Sequence, residues 1–172
     1  DLFELLRHLR LIKRRKNSGK PVESELAKAF ALDKGGGPFI EKRLRPAAKL
    51  VAMLRDGEIG NHFKSGIATS IDRTSWIDDQ VWVPAALHWL EVRGGGDETE
   101  LFFKRLERIV WLMRLAGYDD AKQQPRIITL LSEIDATTKV SAMTALEPDK
   151  ALCDGTRKTL RTGTIDRKQF AR

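Results

Sequence analysis

The residues best suited to chemistry in this 172-residue chain are its clustered cations. Arg10, Lys13, Arg14, Arg15 and Lys16 fall within two helical turns near the start, and Arg157, Lys158, Arg161, Arg167 and Lys168 gather near the end. Groups of this kind suit phosphate contact, which positions a protein on DNA without reading its bases. We take Arg10, Lys13, Arg14, Arg15, Lys16, Arg157, Lys158 and Arg161 as the candidate phosphate contacts. The distribution of the net charge of +7 agrees: residues 1–56 carry +7, residues 57–149 carry −5 and residues 150–172 carry +5. Basic ends on a near-neutral body fit a polyanion, most plausibly nucleic acid. The plainer reading is a solvated basic surface.

Other groups make weaker cases. His8, His62 and His88 have no metal-ligand spacing between them, and Cys153 is the lone cysteine, so a zinc site is not expected. His8 and His88 lie in apolar helical stretches and read as structural side chains. His62, beside Asn61 and Lys64, resembles part of a nuclease site but forms no motif. The triple glycines ending at Gly37 and Gly96 lack the Lys-Ser/Thr that a phosphate-binding loop requires. Asp78-Asp79 and Asp119-Asp120 could bind magnesium, yet neighbouring acids at helix starts more often cap. Of the tryptophans, Trp82, Trp89 and Trp111 fall on apolar helical faces, while Trp76 is the least clearly buried. Tryptophans can stack on bases, but the core reading is preferred for the first three. A single cysteine allows no internal disulfide, which points to an intracellular setting.

The elements that must position these groups read as helices. With 41% apolar and 32% charged residues the chain suits a folded domain, and no apolar run approaches the roughly 18 residues of a membrane span. Leu2, Leu5, Leu6, Leu9 and Ile12 mark an amphipathic helix that opens at Asp1 with no cap before it, as at a cut end. A short helix over 22–32 follows, with Leu26 and Phe30 inward. A third helix runs over 38–55, with Pro38 at its favoured first position and a kink expected at Pro46. Its stripe is Phe39, Ile40, Leu44, Ala47, Ala48, Val51 and Leu54. Residues 67–71 fit either a helical turn or an extended piece, and 79–92 a helix to which Pro84 objects. The clearest helix runs from a capping Asp97, with Glu100 completing a capping box, to a stop at Gly117. Its apolar residues cover more than half its circumference, so it should be central in a bundle. Further helices are expected from Pro125 to Ile134 and over 139–147. The expected fold is therefore all-α, an irregular bundle of about 6–8 helices over 1–147, with 148–172 a basic tail or the start of a following segment.

Trp82-Val83-Pro84-Ala85-Ala86-Leu87 and Leu101-Phe102-Phe103-Lys104-Arg105-Leu106-Glu107-Arg108 resemble a helical region of the GmrSD family, and the opening residues 1–10 look similar to the start of that region. These are modification-dependent, type IV restriction endonucleases and related antiphage proteins of the bacterial cytoplasm. In that family a ParB-like nucleotide-hydrolysing domain precedes the helical region and an HNH-type nuclease domain commonly follows it. The resemblance covers most of 1–147 and implies a connector between those domains. No DGQQR-like signature occurs here, and no His-centred nuclease motif follows residue 147, so no catalytic residue is carried over. Nucleotide and divalent metal would belong to the neighbouring domains of the parent protein, with no cofactor in this chain.

Two functions follow as expectations. The first is a noncatalytic module that links an NTPase to a nuclease and holds DNA backbone. The second is a protein-interaction or oligomerisation module without a nucleic-acid role, docking through the apolar rim of residues 1–12. An autonomous nuclease built on His62 ranks last. A membrane role is not expected.

Overall fold

The computed structural model describes residues 2–15, 21–30, 36–55, 65–77, 80–94 and 96–162. Those residues form an all-α bundle with no strand among them. No helix among them is long and apolar enough to cross a membrane.

Helix α1 (Leu2–Arg14) buries Leu5, His8, Leu9 and Ile12, the spacing of one helical face. Leu2 was expected on that stripe but is 61% exposed, one turn beyond the helices that cover Leu5. Helix α2 (Val22–Ala29) starts after Pro21, and buried Leu26 holds it against α1. Phe30, just past its end, packs on Phe39 at 4.6 Å between ring centroids.

Pro46 does not break the third segment. Helix α3 (Gly37–Phe39) passes through a π-helical turn at Ile40–Leu44 into α4 (Arg45–Arg55). The Arg45 N–H reaches back five residues to the Ile40 carbonyl, so the wider turn falls just before the residue that has no N–H to give. Phe39, Ala47 and Leu54 are buried, whereas Ile40 and Ala48, expected inward, face out.

Residues 65–75 resolve the open choice at 67–71 in favour of a helix. In α5 (Ser65–Ser75) the residues Ile67, Ser70, Ile71 and Thr74 are buried. A 3₁₀ turn at Gln80–Trp82 then leads into α6 (Val83–Arg93). Pro84 lies in the first turn of α6, where its missing N–H costs nothing. Every side chain from Val83 to Leu90 is buried, so α6 has no solvent face over that length. It is enclosed by α1, α4, α8 and the next helix.

Helix α7 (Glu98–Leu115) is the second internal strut. It packs against α5 and a C-terminal helix and buries Phe102, Phe103, Leu106, Ile109, Val110 and Met113. Phe102 stacks on Trp89 at 4.2 Å, and Phe103 meets Phe102 edge-on. Trp89 Nε1–H donates to Thr99 Oγ1 at 3.1 Å, which satisfies the one polar atom of a buried indole. The expected capping box does not form, because Asp97 makes no capping bond. The Glu98 carboxylate instead accepts the Val140 N–H, and Glu100 pairs with Lys104. At the other end Gly117 takes φ +71°, and the Tyr118 N–H reaches the Met113 carbonyl, a Schellman-type stop.

Helix α8 (Asp120–Ala136) begins five residues before the expected start. Asp119 caps it by accepting the Lys122 N–H, and Pro125 is carried on its exposed side. Ile127, Leu130, Leu131 and Ile134 face the core as expected. Two 3₁₀ turns, Val140–Ala142 and Thr144–Leu146, stand where one short helix was expected. The Glu133 carboxylate accepts the N–H groups of Thr144 and Ala145 and fixes the second of them.

In the stretch after 147, expected as a basic tail or the start of a following segment, Lys150–Thr162 folds as α9. Leu152 is fully buried in the common core, and Thr156 Oγ1–H is 3.3 Å from the Leu112 carbonyl. Gly155 rides against Ala116, where an added Cβ would stand 3.1 Å from the alanine methyl. The spacing of Leu152, Gly155 and Thr156 makes one narrow contact stripe on an otherwise polar helix. Its low apolar content hides it from a composition reading. Residues 163–172 lie outside the described residues.

Candidate functional site

The basic turn of α1 is engaged largely with acids of the same chain. Arg10 Nη1 lies 3.6 Å and Arg14 Nη2 3.8 Å from the Glu25 carboxylate of α2. Glu25 is 6% exposed, so α1 and α2 close over a nearly buried carboxylate flanked by two cations. Arg15 ends α1 at φ +54°, a left-handed conformation unusual for a residue other than glycine. From there its guanidinium turns onto α8, 2.5 Å from Asp135 Oδ2 and 2.8 Å from His88 Nε2. His88 Nε2 is 2.7 Å from Asp135 Oδ1. The three side chains thus tie the end of α1 to α6 and α8. Lys13 is exposed and sits over the Phe30 ring at 6.0 Å. Lys16 lies outside the described residues.

Burial of the His88 ring lowers its pKa, and the adjacent Arg15 charge adds to this against the opposing pull of the Asp135 hydrogen bond. Burial would raise the Asp135 carboxyl, but hydrogen bonds from Arg15 and His88, with the positive charge of Arg15, hold it below the usual carboxylate value. An ionised Asp135 beside a neutral His88 puts the imidazole proton on Nε2, pointing at Oδ1.

Arg157, Lys158 and Arg161 form a separate group on the outer face of α9. All three are exposed, and they share that face with Lys150 and one carboxylate, Asp154, which lies 3.5 Å from Arg157. The α1 and α9 groups do not make one patch. Arg15 contacts the last turn of α8, while α9 packs on Leu112 and Ala116, just before α8 begins. The 17 residues of α8 separate these points by about 25 Å.

The remaining candidates divide cleanly. His8 and His88 are buried at 7% exposure. Trp82 and Trp89 are core, Trp111 is half-buried, and Trp76 is 59% exposed. Asp119 is the cap of α8. His62, Asp78, Asp79, Arg167 and Lys168 lie outside the described residues. Among the described residues no three of His, Cys, Asp and Glu group as a metal site. Sequence reasoning missed Glu25 and Asp135 as partners of the basic turn, since nothing in their spacing marks a contact across 11 or 120 residues. It also missed a groove of about 460 Å³ between α5 and α7 that carries Arg73, Lys104, Arg108 and Trp111. The signal for it exists: Lys104, Arg108 and Trp111 recur at helical spacing on a single face.

No protein-family model matches the chain, and no curated protein and no solved structure matches it.

Proposed function

We propose that this chain is a noncatalytic helical module of a modification-dependent restriction or antiphage protein. It joins a nucleotide-hydrolysing domain to an HNH-type nuclease and contacts DNA backbone through α9. The family assignment rests on the sequence resemblance in residues 82–108. The observation that carries the DNA reading is the outer face of α9, where Arg157, Lys158 and Arg161 stand exposed at helical spacing against a single nearby carboxylate. Three cations in one row suit successive phosphates and read no sequence. Lys13 contributes at the far end of the bundle. Arg10, Arg14 and Arg15 serve chiefly to hold α1 in place, the first two sharing the Glu25 carboxylate and the third pairing with Asp135. Nucleotide and metal are bound by the neighbouring domains.

Charge reversal tests this assignment. Arg157→Glu, Lys158→Glu and Arg161→Glu together are expected to abolish binding of a labelled duplex at low salt, with Lys13→Glu causing a smaller loss. Equal binding by wild type and the α9 variant would refute it. A second reading, docking of another domain or a second copy, is favoured by one observation. Leu2 and Phe3, at 61% and 45% exposure, form an apolar tip at the start of α1. Sedimentation of the wild type against Leu2→Ser with Phe3→Ser separates self-association from DNA binding.

A further inference from the structure

We propose that the α5–α7 groove is a second binding site, one that takes an unpaired nucleotide through its phosphate and its base. This site lies apart from α9, and the proposal does not rest on α9 binding DNA.

The two helices run parallel. Gly66 meets the Glu100 carboxylate and Arg73 faces Glu107, so position n of α5 stands level with n + 34 of α7. The groove between them measures about 460 Å³, within the roughly 300–1,000 Å³ of small-molecule sites. Its α7 wall presents Lys104, Glu107, Arg108 and Trp111, and its α5 wall presents hydroxyls and Arg73. Arg73 is 60% exposed and only loosely paired, 3.7 Å from Glu107. Lys104 is paired with Glu100 at 2.8 Å. Arg108 is exposed and has no ion pair among the described residues, so its guanidinium is the open cation of the groove. Trp76, just past the end of α5, is 59% exposed; it is not part of the groove lining, but it follows Thr69 and Arg73 at helical spacing and so continues the α5 face that forms one wall. Arginines with an adjacent exposed aromatic are the elements that hold an unpaired nucleotide, the cations taking phosphate and the ring taking the base. Duplex DNA, whose bases are stacked inside, offers this site only its phosphates.

The test uses the full chain and a labelled single strand of about 12 thymidines, a length that covers one such site. Fluorescence anisotropy is expected to show binding that Trp76→Ala weakens by about tenfold or more, as removal of a stacking platform does. Arg108→Glu is expected to weaken it similarly. Both positions are exposed, and unchanged far-UV circular dichroism will show that the variants fold. In the α9 triple variant, whose own phosphate contacts are removed, single-strand binding should still weaken with Trp76→Ala and with Arg108→Glu by the same factors as in wild type. Thymidine monophosphate as competitor distinguishes the sources: displacement assigns the site to free nucleotides as well as strands, and no displacement assigns it to strands, either upholding the proposal. Wild-type affinity in both groove variants, no binding at low salt, or equal displacement by a duplex of the same length would overturn it.

Discussion

Arg15, His88 and Asp135 form one mutually contacting set of side chains. Asp135 offers one oxygen to each partner, and the left-handed turn at Arg15 is what aims its guanidinium there. His88 Nε2–H donates to Asp135 while standing 2.8 Å from an arginine, an arrangement that penalises a second positive charge on the ring. The pH consequence follows from the lowered His88 pKa. Below about pH 6.5 the unfolded imidazole gains a proton that the folded one resists, so the unfolded state binds more protons and stability falls as pH drops through that window. The lowered Asp135 pKa acts in the same direction further down, with its stabilisation lost below about pH 4. Thermal melts should therefore show a Tm that declines from pH 7.5 to 5.5 in the wild type. In His88→Gln most of that decline should vanish, and an unchanged slope would contradict the assignment. Glu25 supports a second prediction. Glu25→Ala removes the carboxylate that faces Arg10, whose side chain is 13% exposed, and should cost about 3 kcal/mol in urea unfolding, the low end for one-sided loss of a buried pair. Its separations of 3.6 and 3.8 Å argue for that low end.

At the scale of elements, α9 makes the sharpest claim. Leu152 is fully buried against α7, so Leu152→Ala should cost about 3 kcal/mol, within the usual range for a core leucine. Leu160, on the same helix but 58% exposed, should cost less than about 0.5 kcal/mol when changed to Ala. Equal effects in chemical denaturation would mean that α9 does not dock as described. The same helix shows what a sequence can and cannot disclose. The apolar periodicity of α1, α7 and the second half of α8 is strong enough to place each helix, because hydrophobic burial there follows one continuous face. The all-α class follows from it. Three features stayed out of reach because they depend on tertiary partners. Leu152, Gly155 and Thr156 dock a polar helix through only three positions. The enclosure of α6 on every side erases the one-sided pattern that periodicity detects. The π turn before Pro46 replaces a kink with a wider ring. The candidate contacts were legible as a cluster of charge, but not their fate: the two acids that pair with Arg10, Arg14 and Arg15 sit on other helices, and only folding brings them together.

For the whole molecule, folding redistributes the charge that the sequence concentrates at both ends. Arg10, Arg14 and Arg15 become ties among α1, α2, α6 and α8, while Lys13 and the α9 cations stay exposed. A bundle that holds its basic face on one helix, about 25 Å from the secured end of α1, suits a spacer that meets DNA on one side. If α9 binds the phosphate backbone, duplex affinity must fall with salt in proportion to the phosphates that it holds. Each phosphate contact on a duplex contributes about −0.9 to the slope of log affinity against log salt. Duplex titrations across a series of salt concentrations, with wild type and with Arg157→Ala, Lys158→Ala and Arg161→Ala combined, should give a steep wild-type slope. The variant's slope should be shallower by about 2 to 3. Identical slopes, or no wild-type binding at the lowest salt, would show that α9 is not a phosphate-binding face and leave the apolar tip of α1 as the surface to pursue.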